Sequence, residues 1–437
     1  MRALKLRGLF VAGLCSLATP ALAQTEIQWW HAMSGANGDR IVKIATDFNA
    51  SQKDYKVVPT FKGSYADTMN AGIAAFRAGG APHILQVFEV GTATMMAATG
   101  AIKPVYQLMK DAGEPFDPKS FLQAVTGYYS TAKGDMLSFP FNSSTAVLWV
   151  NLDALKKAGI DKIPATWPDT FAAATKLHSA GYDKCGIATA WITWTNIEQL
   201  TAWHNLQLST KANGLDGFDT VITFNKAPAV VRHFENLAKY QKDKIFDYSG
   251  RTNEGEGRFT SGECPLFVTS SAFLGAVKGS AKFNYTTAFM PYYPDVPGAP
   301  QNSIIGGASL WIMAGKSAAE YKGVAKFLTY LTKPEVQAWW HQETGYLPIT
   351  NAAYELSKKQ GYYDKNPAAE ISIKQMTHKP PTENSRGLRL GNLALIRDVW
   401  AEEIEQLLTG KKTAQAALDA AADRGNQMLR QFQRTVK

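Results

Sequence analysis

Three short stretches of small or hydroxyl-bearing residues could donate hydrogen bonds to a ligand. Ser143-Ser144 lie in the run 139–155, where polar residues lead into an apolar segment rich in β-formers. Ser270-Ser271 follow the predicted strand 266–269 and precede a helix, whose N-terminus presents aligned N–H groups suited to an anion. Gly306-Gly307 would let the backbone approach a ligand closely, giving an N–H where a side chain would obstruct.

Charged and aromatic side chains complete this set of candidates. Arg397 could form two parallel hydrogen bonds to phosphate oxygens. Glu89 and Tyr65 each follow a predicted strand. A lone carboxylate such as Glu89 would repel the anionic group of a ligand, so it fits such a site only at the other end of the ligand, where it accepts hydrogen bonds from hydroxyl groups. Taken singly, these residues also have ordinary structural roles. Arg397 could form a surface ion pair, and Trp191 and Trp194 could belong to the core.

The motifs of catalysis are absent from the chain. No His-x-x-x-His or paired Cys-x-x-Cys spacing indicates a metal site, and no Gly-x-Ser-x-Gly elbow indicates a serine nucleophile. Gly410-Lys411-Lys412-Thr413 resembles the end of a phosphate-binding loop, but Glu405 occupies the position of the upstream glycine. We therefore expect a binding protein without cofactor or metal, and keep a hydrolase using Glu89 and a second carboxylate as a remote alternative.

The N-terminus has the pattern of a secretory signal. Arg2, Lys5 and Arg7 precede a short apolar run at 9–17, and Ala21-Leu22-Ala23 forms a cleavage site. We expect a mature, exported chain that begins at Gln24, since neither this run nor any later one is long enough to span a bilayer. Removing the leader lowers the formal net charge from +9 to +6, and the dispersed basic residues argue against a nucleic-acid partner.

The elements that must position the candidates alternate between strand and helix. About 414 mature residues exceed what one core usually supports, so we expect an α/β protein of two lobes, each a mostly parallel sheet flanked by helices. Ligands of such sheets bind at the carboxyl ends of strands. The run 139–155 is predicted to cross between lobes. The division predicted is 24–139 with 290–345 as lobe 1, and 140–289 with 346–437 as lobe 2, hinged near Phe139, Met290 and Tyr346.

Two cysteines remain after removal of the leader. Cys185 lies six residues before Trp191, and Cys264 lies six residues before Ser270. The equal offset is compatible with neighbouring strands joined by a disulfide in an oxidising compartment. Two free, buried thiols fit the sequence equally well, so both states remain open at this point.

Several motifs, in their order along the chain, carry a resemblance to a known family. They are TFKGSY at 60–65, LQVFEVGTATMM at 85–96, PFNSST at 140–145, IIGGASLW at 304–311, TGYLPIT at 344–350 and KKT at 411–413. The sequence resembles the extracellular solute-binding proteins of ABC importers, which include maltose-binding protein, and within them those that bind sn-glycerol 3-phosphate. The resemblance covers essentially the whole mature chain and implies the type II periplasmic binding protein fold, with a ligand held between two hinged lobes.

The resemblance also implies roles for residues of this sequence. The positions that match the phosphate side of the ligand are Ser144, Ser270, Gly307, Tyr346 and Arg397. Those that match the glycerol side are Tyr65, Glu89 and Trp191. Trp194, Ser143 and Ser271 are further candidates for ligand contact, assigned to neither side. The implied partners are glycerol 3-phosphate or glycerophosphodiesters such as glycerophosphocholine, and a permease with two membrane subunits and a cytoplasmic ATPase. The receptor is expected to be a periplasmic monomer. A sugar receptor of the same fold, with little need for Arg397, is the alternative.

Overall fold

The chain crosses between two sheets at Thr145, in the middle of the run predicted to do so. The computed structural model describes residues 24–98, 100–131 and 133–436; the predicted leader lies outside them. The strands are β1 Thr25–His31, β2 Tyr55–Phe61, β3 Ile84–Phe88, β4 Phe139–Ser144, β5 Ala146–Asn151, β6 Ile187–Thr189, β7 Phe246–Tyr248, β8 Leu266–Ser270, β9 Tyr285–Ala288 and β10 Gly306–Ile312. One sheet has the order β2-β1-β3-β10-β4, and the other has the order β7-β6-β8-β5-β9.

Each sheet contains a single strand of reversed direction. In the first sheet β10 is antiparallel to both β3 and β4, while β1, β2 and β3 are mutually parallel. In the second sheet β5 is antiparallel to both β8 and β9, while β6, β7 and β8 are parallel. Four of the five strands in each sheet therefore share one direction, which confirms the predicted mostly parallel α/β fold.

Helices cover the sheets and supply the cleft walls. The first ten are α1 Gly35–Ser51, α2 Tyr65–Arg77, α3 Thr92–Ala97, α4 Val105–Ala112, α5 Gln123–Tyr129, α6 Leu152–Lys157, α7 Trp167–Ser179, α8 Gln199–Trp203, α9 Thr210–Asn213 and α10 Pro228–Lys242. The others are α11 Glu256–Thr260, α12 Leu274–Ser280, α13 Ala318–Leu331, α14 Pro334–Thr344, α15 Asn351–Lys359, α16 Tyr362–Lys365, α17 Ile371–Met376, α18 Leu393–Leu408 and α19 Ala414–Thr435. In the part of the chain described, no helix combines the length and apolarity that crossing a membrane requires.

The three segments that link the lobes meet at one hinge. The Thr145 hydroxyl donates to the Ile304 carbonyl at 2.9 Å. The Leu347 N–H donates to the Ser143 carbonyl at 2.7 Å, and the Ser271 N–H donates to the Thr145 carbonyl at 2.8 Å. These contacts hold Thr145, Ile304 and Leu347 close together, and we propose that the polypeptide bends here when the lobes move.

The crossings lie several residues beyond the predicted positions. β4 pairs with β10 as far as Ser144, so residues 140–144 belong to the first sheet because their backbone donors and acceptors are satisfied there. Met290 still packs on the second lobe, where its carbonyl accepts from Trp203 Nε1 at 2.9 Å. The Phe121–Thr350 bridge keeps the segment after Tyr346 on the first lobe. We propose a division in which the crossings fall at Thr145, at Ile304 and after Thr350.

A disulfide joins Cys185 and Cys264, which settles the question that the sequence left open. Their Cα atoms are 4.9 Å apart, and both side chains are fully buried. The parallel register pairs Ile187 with Leu266, two residues after each cysteine. The equal offset in sequence therefore reflects equal positions on the neighbouring strands β6 and β8.

We expect this disulfide to stabilise the second lobe by about 2–4 kcal/mol, because it closes a long loop in the unfolded chain. Urea unfolding of the oxidised protein should show a higher midpoint than unfolding of the same protein in dithiothreitol. A Cys185→Ser/Cys264→Ser variant should show no effect of the reductant and serves as the control. Equal midpoints for the oxidised and reduced protein would contradict the prediction.

Candidate functional site

A cavity of about 580 Å³ lies between the two lobes. Trp194 lines this cavity. So do all eight residues that the sequence analysis placed around the ligand: Tyr65, Glu89, Ser144, Trp191, Ser270, Gly307, Tyr346 and Arg397. The two further candidates, Ser143 and Ser271, are buried and are not part of the lining. Ser271 instead donates from Oγ to the Gly345 carbonyl at 3.0 Å, which is a hinge contact.

Arg397, on α18 of the second lobe, is buried between two carboxylates. Its Nε and Nη2 donate to the two oxygens of Glu198 at 2.6 and 2.7 Å. Nη2 also donates to Glu89 Oε1 at 2.6 Å. Glu89 follows β3 of the first lobe, so this ion pair crosses between the lobes. Nε and Nη2 of Arg397 are therefore occupied by carboxylates in this structure, and paired hydrogen bonds from Arg397 to a phosphate remain a prediction. A guanidinium removed from water needs an opposite charge beside it, and Glu198 supplies one within its own lobe.

The ion pair also shifts the ionisation of its members. Burial raises the pKa of Glu89, the Arg397 guanidinium opposes that shift, and the neighbouring Glu198 adds to it. Burial lowers the pKa of Arg397, but the two carboxylates more than compensate and raise it above its ordinary value. Arg397 therefore stays charged, while Glu89 is the member of the set whose proton is held more tightly than usual.

Sequence reasoning did not identify Glu198. It lies in the one-turn π-helix Trp194–Glu198 that leads into α8, and its side chain is almost completely buried. The available signal was an acidic residue within a segment that is otherwise apolar or uncharged, 191–203. A charge in such a segment is rarely buried without a partner. This π-helix begins at Trp194, which lines the cavity, and ends at Glu198, which pairs with Arg397.

Two tyrosine hydroxyls are held in the cavity by stacking and by a chain of amides. Gln86 Nε2 donates to Asn142 Oδ1 at 2.8 Å, and Asn142 Nδ2 donates to the Tyr65 hydroxyl at 2.8 Å. The Tyr65 ring stacks on Phe88 with 5.6 Å between centroids. The Tyr65 oxygen accepts this bond, and its own proton is directed towards the neighbouring Tyr346 hydroxyl.

Tyr346 provides the second hydroxyl of this pair. Its ring stacks on Trp340 with 5.7 Å between centroids. Burial raises its pKa, and the charges of Glu256 and Glu89 raise it further, whereas its hydrogen bonds to Asn142 and Tyr65 lower it. Both phenols therefore remain protonated and can act as neutral donors to an anion.

Backbone geometry fixes the remaining residues around the cavity. Gly307 has φ of +100°, and a Cβ there would lie 1.8 Å from the Asn142 carbonyl, so β4 and β10 can pair here only through glycine. A Cβ at Gly306 would lie 2.4 Å from the Trp194 ring. Trp191 has φ of +54°, and its N–H donates to the Thr252 carbonyl at 2.7 Å.

Ser270 ends β8 at the predicted strand-to-helix junction. Its Oγ accepts from the Ala272 N–H at 3.0 Å and caps the short 3₁₀ turn Ser271–Phe273. That turn continues into α12, so the cap leaves the Ser270 hydroxyl proton free to be donated. No cluster of three or more His, Cys, Asp or Glu residues with the geometry of a metal site occurs in the described ranges.

We expect Arg397→Gln to destabilise the fold by about 3–5 kcal/mol at about pH 8, because it leaves two buried carboxylates without their cation. A carboxyl whose folded pKa is raised, as burial and Glu198 do for Glu89, lowers stability as pH rises through that pKa. The deficit should therefore shrink towards about pH 5. Urea unfolding at both pH values measures it.

The matched control is Arg386→Gln. Arg386 pairs with Asp216 at 3.4 Å through side chains that are about half exposed, so its loss should cost less than about 1 kcal/mol at either pH. Equal and pH-independent losses for the two variants would contradict the assignment of Arg397 as a buried, doubly compensated cation.

Solved structures of binding proteins share this fold. UgpB from Mycobacterium tuberculosis in complex with glycerophosphocholine superposes with a TM-score of 0.78 at 20% identity, over 93% of this chain and 99% of that one. Maltose-bound MalE3 of T. maritima gives a TM-score of 0.75 at 18% identity, over 92% of this chain and 99% of that one. Similarity at this level of identity confirms the predicted two-lobed architecture.

Sequence relatives are much closer. The sn-glycerol-3-phosphate-binding periplasmic protein UgpB of Salmonella typhimurium is 53% identical over 420 residues, which are 95% of each chain. That of Pectobacterium atrosepticum is 53% identical over 424 residues, 96% of this chain and 95% of the relative. The model of the family described as bacterial extracellular solute-binding protein matches residues 43–371. The chain therefore belongs to the bacterial extracellular solute-binding protein family.

Proposed function

We propose that this protein is the periplasmic receptor of an ABC importer and binds sn-glycerol 3-phosphate, or a glycerophosphodiester, between its lobes. One observation carries the proposal. Relatives named for this ligand are 53% identical over 95% of the chain, and the eight residues expected from the family resemblance line one cavity. Because the family is one of solute-binding proteins, the prediction that the chain is not an enzyme is confirmed.

The phosphate group would take its hydrogen bonds from neutral donors and one shared cation. Tyr65, Tyr346, Ser144 and Ser270 provide hydroxyls at the cavity wall. Arg397 provides positive charge, and its Nη1 makes no hydrogen bond within the described part of the chain. Neutral, rigidly held donors bind an oxyanion without the desolvation cost that several charged side chains would incur.

The glycerol end would lie beside Glu89 and the indole rings. A carboxylate accepts bonds from hydroxyl groups, and the rings of Trp191 and Trp194 cover carbon atoms. Glu89 and Arg397 are in contact, which supports phosphate and glycerol subsites that would adjoin at this ion pair. The ligand would then touch both lobes and hold them closed.

Closure would present the loaded receptor to the transporter. The lobes would rotate about the segments at Thr145, at Ile304 and after Thr350, where the chain passes between them. The partners would be a permease of two membrane subunits and a cytoplasmic ATPase. We propose that the receptor acts as a monomer, exported after cleavage between Ala23 and Gln24.

Calorimetric titration tests the ligand. The mature protein should bind glycerol 3-phosphate saturably, and it should not bind maltose or inorganic phosphate with comparable affinity. Tyr65→Phe should weaken binding of glycerol 3-phosphate by about tenfold, because one hydrogen bond to a charged group is lost. Tyr106→Phe, at an exposed position (38% accessible), is the matched control and should bind as wild type does.

The sugar alternative predicts the opposite pattern. Arg397→Lys retains the charge but loses the planar donor set, so it should reduce binding of glycerol 3-phosphate strongly while a sugar receptor would be little affected. Binding of maltose with no response to glycerol 3-phosphate would overturn the proposed ligand and leave the family membership intact.

Native mass spectrometry of protein isolated from the periplasm tests the maturation and the oligomeric state. We expect a single species with the mass of one chain that begins at Gln24. A uniformly longer chain would contradict the cleavage position, and a dominant dimer at micromolar concentration would contradict the monomeric state. Addition of glycerol 3-phosphate should increase the mass of that species by one ligand.

A further inference from the structure

A chain of hydrogen bonds leads from the backbone of Ala32 to the two cavity tyrosines, and its first donor sets the direction of the bonds that follow. The Ala32 N–H donates to Gln86 Oε1 at 2.8 Å. Because a backbone N–H can only donate, the oxygen of the Gln86 amide must face Ala32 and its nitrogen must face the other way. The Gln86 backbone is held in β3, where it pairs with Leu310 of β10.

The orientation of Gln86 determines that of Asn142. Gln86 Nε2 donates to Asn142 Oδ1 at 2.8 Å, so the amide nitrogen of Asn142 faces the tyrosines. Both amides are fully buried, and neither lines the cavity. Turning one of them round would place two N–H groups or two oxygens against each other in a dry interior, where an unmade hydrogen bond is costly. The chain of bonds therefore has one stable direction.

This direction leaves the tyrosine protons at the cavity end of the chain. Asn142 Nδ2 donates to the Tyr65 hydroxyl at 2.8 Å, and the Tyr65 proton is directed towards the Tyr346 oxygen. The Tyr346 hydroxyl is the last donor, and it reaches the Met33 thioether, with 3.8 Å between oxygen and sulfur. A thioether is a weak acceptor. An anionic oxygen is a much stronger one, so the end of the chain suits an oxyanion.

The charges of the cavity do not by themselves favour an anion. Of the described lining residues, Glu89 and Glu256 are acidic and only Arg397 is basic. The Arg397 guanidinium is already paired with Glu89 and with Glu198. Oriented neutral donors therefore have to contribute a substantial part of the attraction for an oxyanion.

We infer that Gln86 is a positioning residue for oxyanion binding, although it lies outside the cavity lining. It fixes the Asn142 amide, which in turn occupies lone pairs of the Tyr65 and Tyr346 oxygens and leaves their protons for the ligand. The inference rests on the proposed function, since it assumes that the phosphate group of the ligand meets these hydroxyls.

The nearly isosteric change Gln86→Glu tests the direction of the chain. An ionised carboxylate accepts from the Ala32 N–H but cannot donate to Asn142. The Asn142 amide would then turn its nitrogen towards residue 86 and its oxygen towards the tyrosines, whose lone pairs would face the ligand. A protonated carboxyl can donate to Asn142 Oδ1 and keeps the native direction. Burial favours this protonated form at about pH 5.

Calorimetric titration with glycerol 3-phosphate measures the effect as the Kd of Gln86→Glu divided by the Kd of wild type at the same pH. The ratio should be close to one at about pH 5 and should rise to about ten or more at about pH 8, because hydrogen bonding to a charged group is lost. His31, Glu89 and Glu256, whose pKa values are shifted, and the ligand phosphate are common to both titrations, so the ratio removes their contribution.

The matched control is Gln431→Glu, the same change at an exposed position of α19. Its ratio should stay close to one at both pH values, and circular dichroism should show both variants folded. A ratio near one for Gln86→Glu at about pH 8 would overturn the inference. A ratio raised equally at both pH values would reduce Gln86 to a purely structural role and would overturn it as well.

A double-mutant cycle with Tyr346→Phe at about pH 8 separates the direction of the hydrogen bonds from simple repulsion between the new charge and the ligand. If residue 86 acts through the phenols, the double variant should bind more tightly than the product of the two single losses predicts. Losses that multiply fully, or a double variant without measurable binding, would overturn the inference. Failure of wild type to bind glycerol 3-phosphate would overturn the proposed function and the inference with it.

Discussion

The buried contact between Arg397, Glu198 and Glu89 is the interaction on which the cleft depends. Glu198 satisfies the guanidinium from within the second lobe, and Glu89 reaches it from the first. Removing these charges from water is costly. Glu198 offsets the cost for Arg397 within the second lobe, whereas the cost for Glu89 is offset only while the two lobes hold it beside Arg397. We propose that the same contact supplies the positive charge of the ligand site, so that closure of the lobes would also assemble the site.

The other donors are fixed by contacts that are independent of charge. Stacking on Phe88 and Trp340 orients the two phenols, and the Gln86–Asn142 amide chain determines which phenol lone pairs are occupied. Such donors need little rearrangement when a ligand arrives, which limits the entropy lost on binding. The hinge hydrogen bonds lie beside them, so a ligand bound to these hydroxyls is close to the axis of lobe motion.

Much of this arrangement could be predicted from the sequence because it depends on local patterns. Strand and helix alternation indicated the sheets, and the polar entry into an apolar run located the first crossing within a few residues. The sequence did not reveal that the first sheet continues to Ser144 and does not end at Phe139. That extension depends on pairing with β10, which is more than 150 residues away in sequence. The role of Glu198 could not be predicted either, because a buried acid is recognisable only once its partner is known.

The order in which the chain supplies strands to the two sheets has a consequence for how the protein folds. The chain passes from β4 of the first sheet directly to β5 of the second, whereas β10, which pairs with both β3 and β4, comes only after all the other strands of both sheets. The first sheet therefore lacks its central pairing until residue 306 and beyond are available. Neither lobe is an autonomous unit of contiguous chain. During synthesis from the N-terminus, the unpaired edges of β3 and β4 would stay exposed until β10 has been made. The first sheet therefore cannot be completed before about two thirds of the chain has been synthesised.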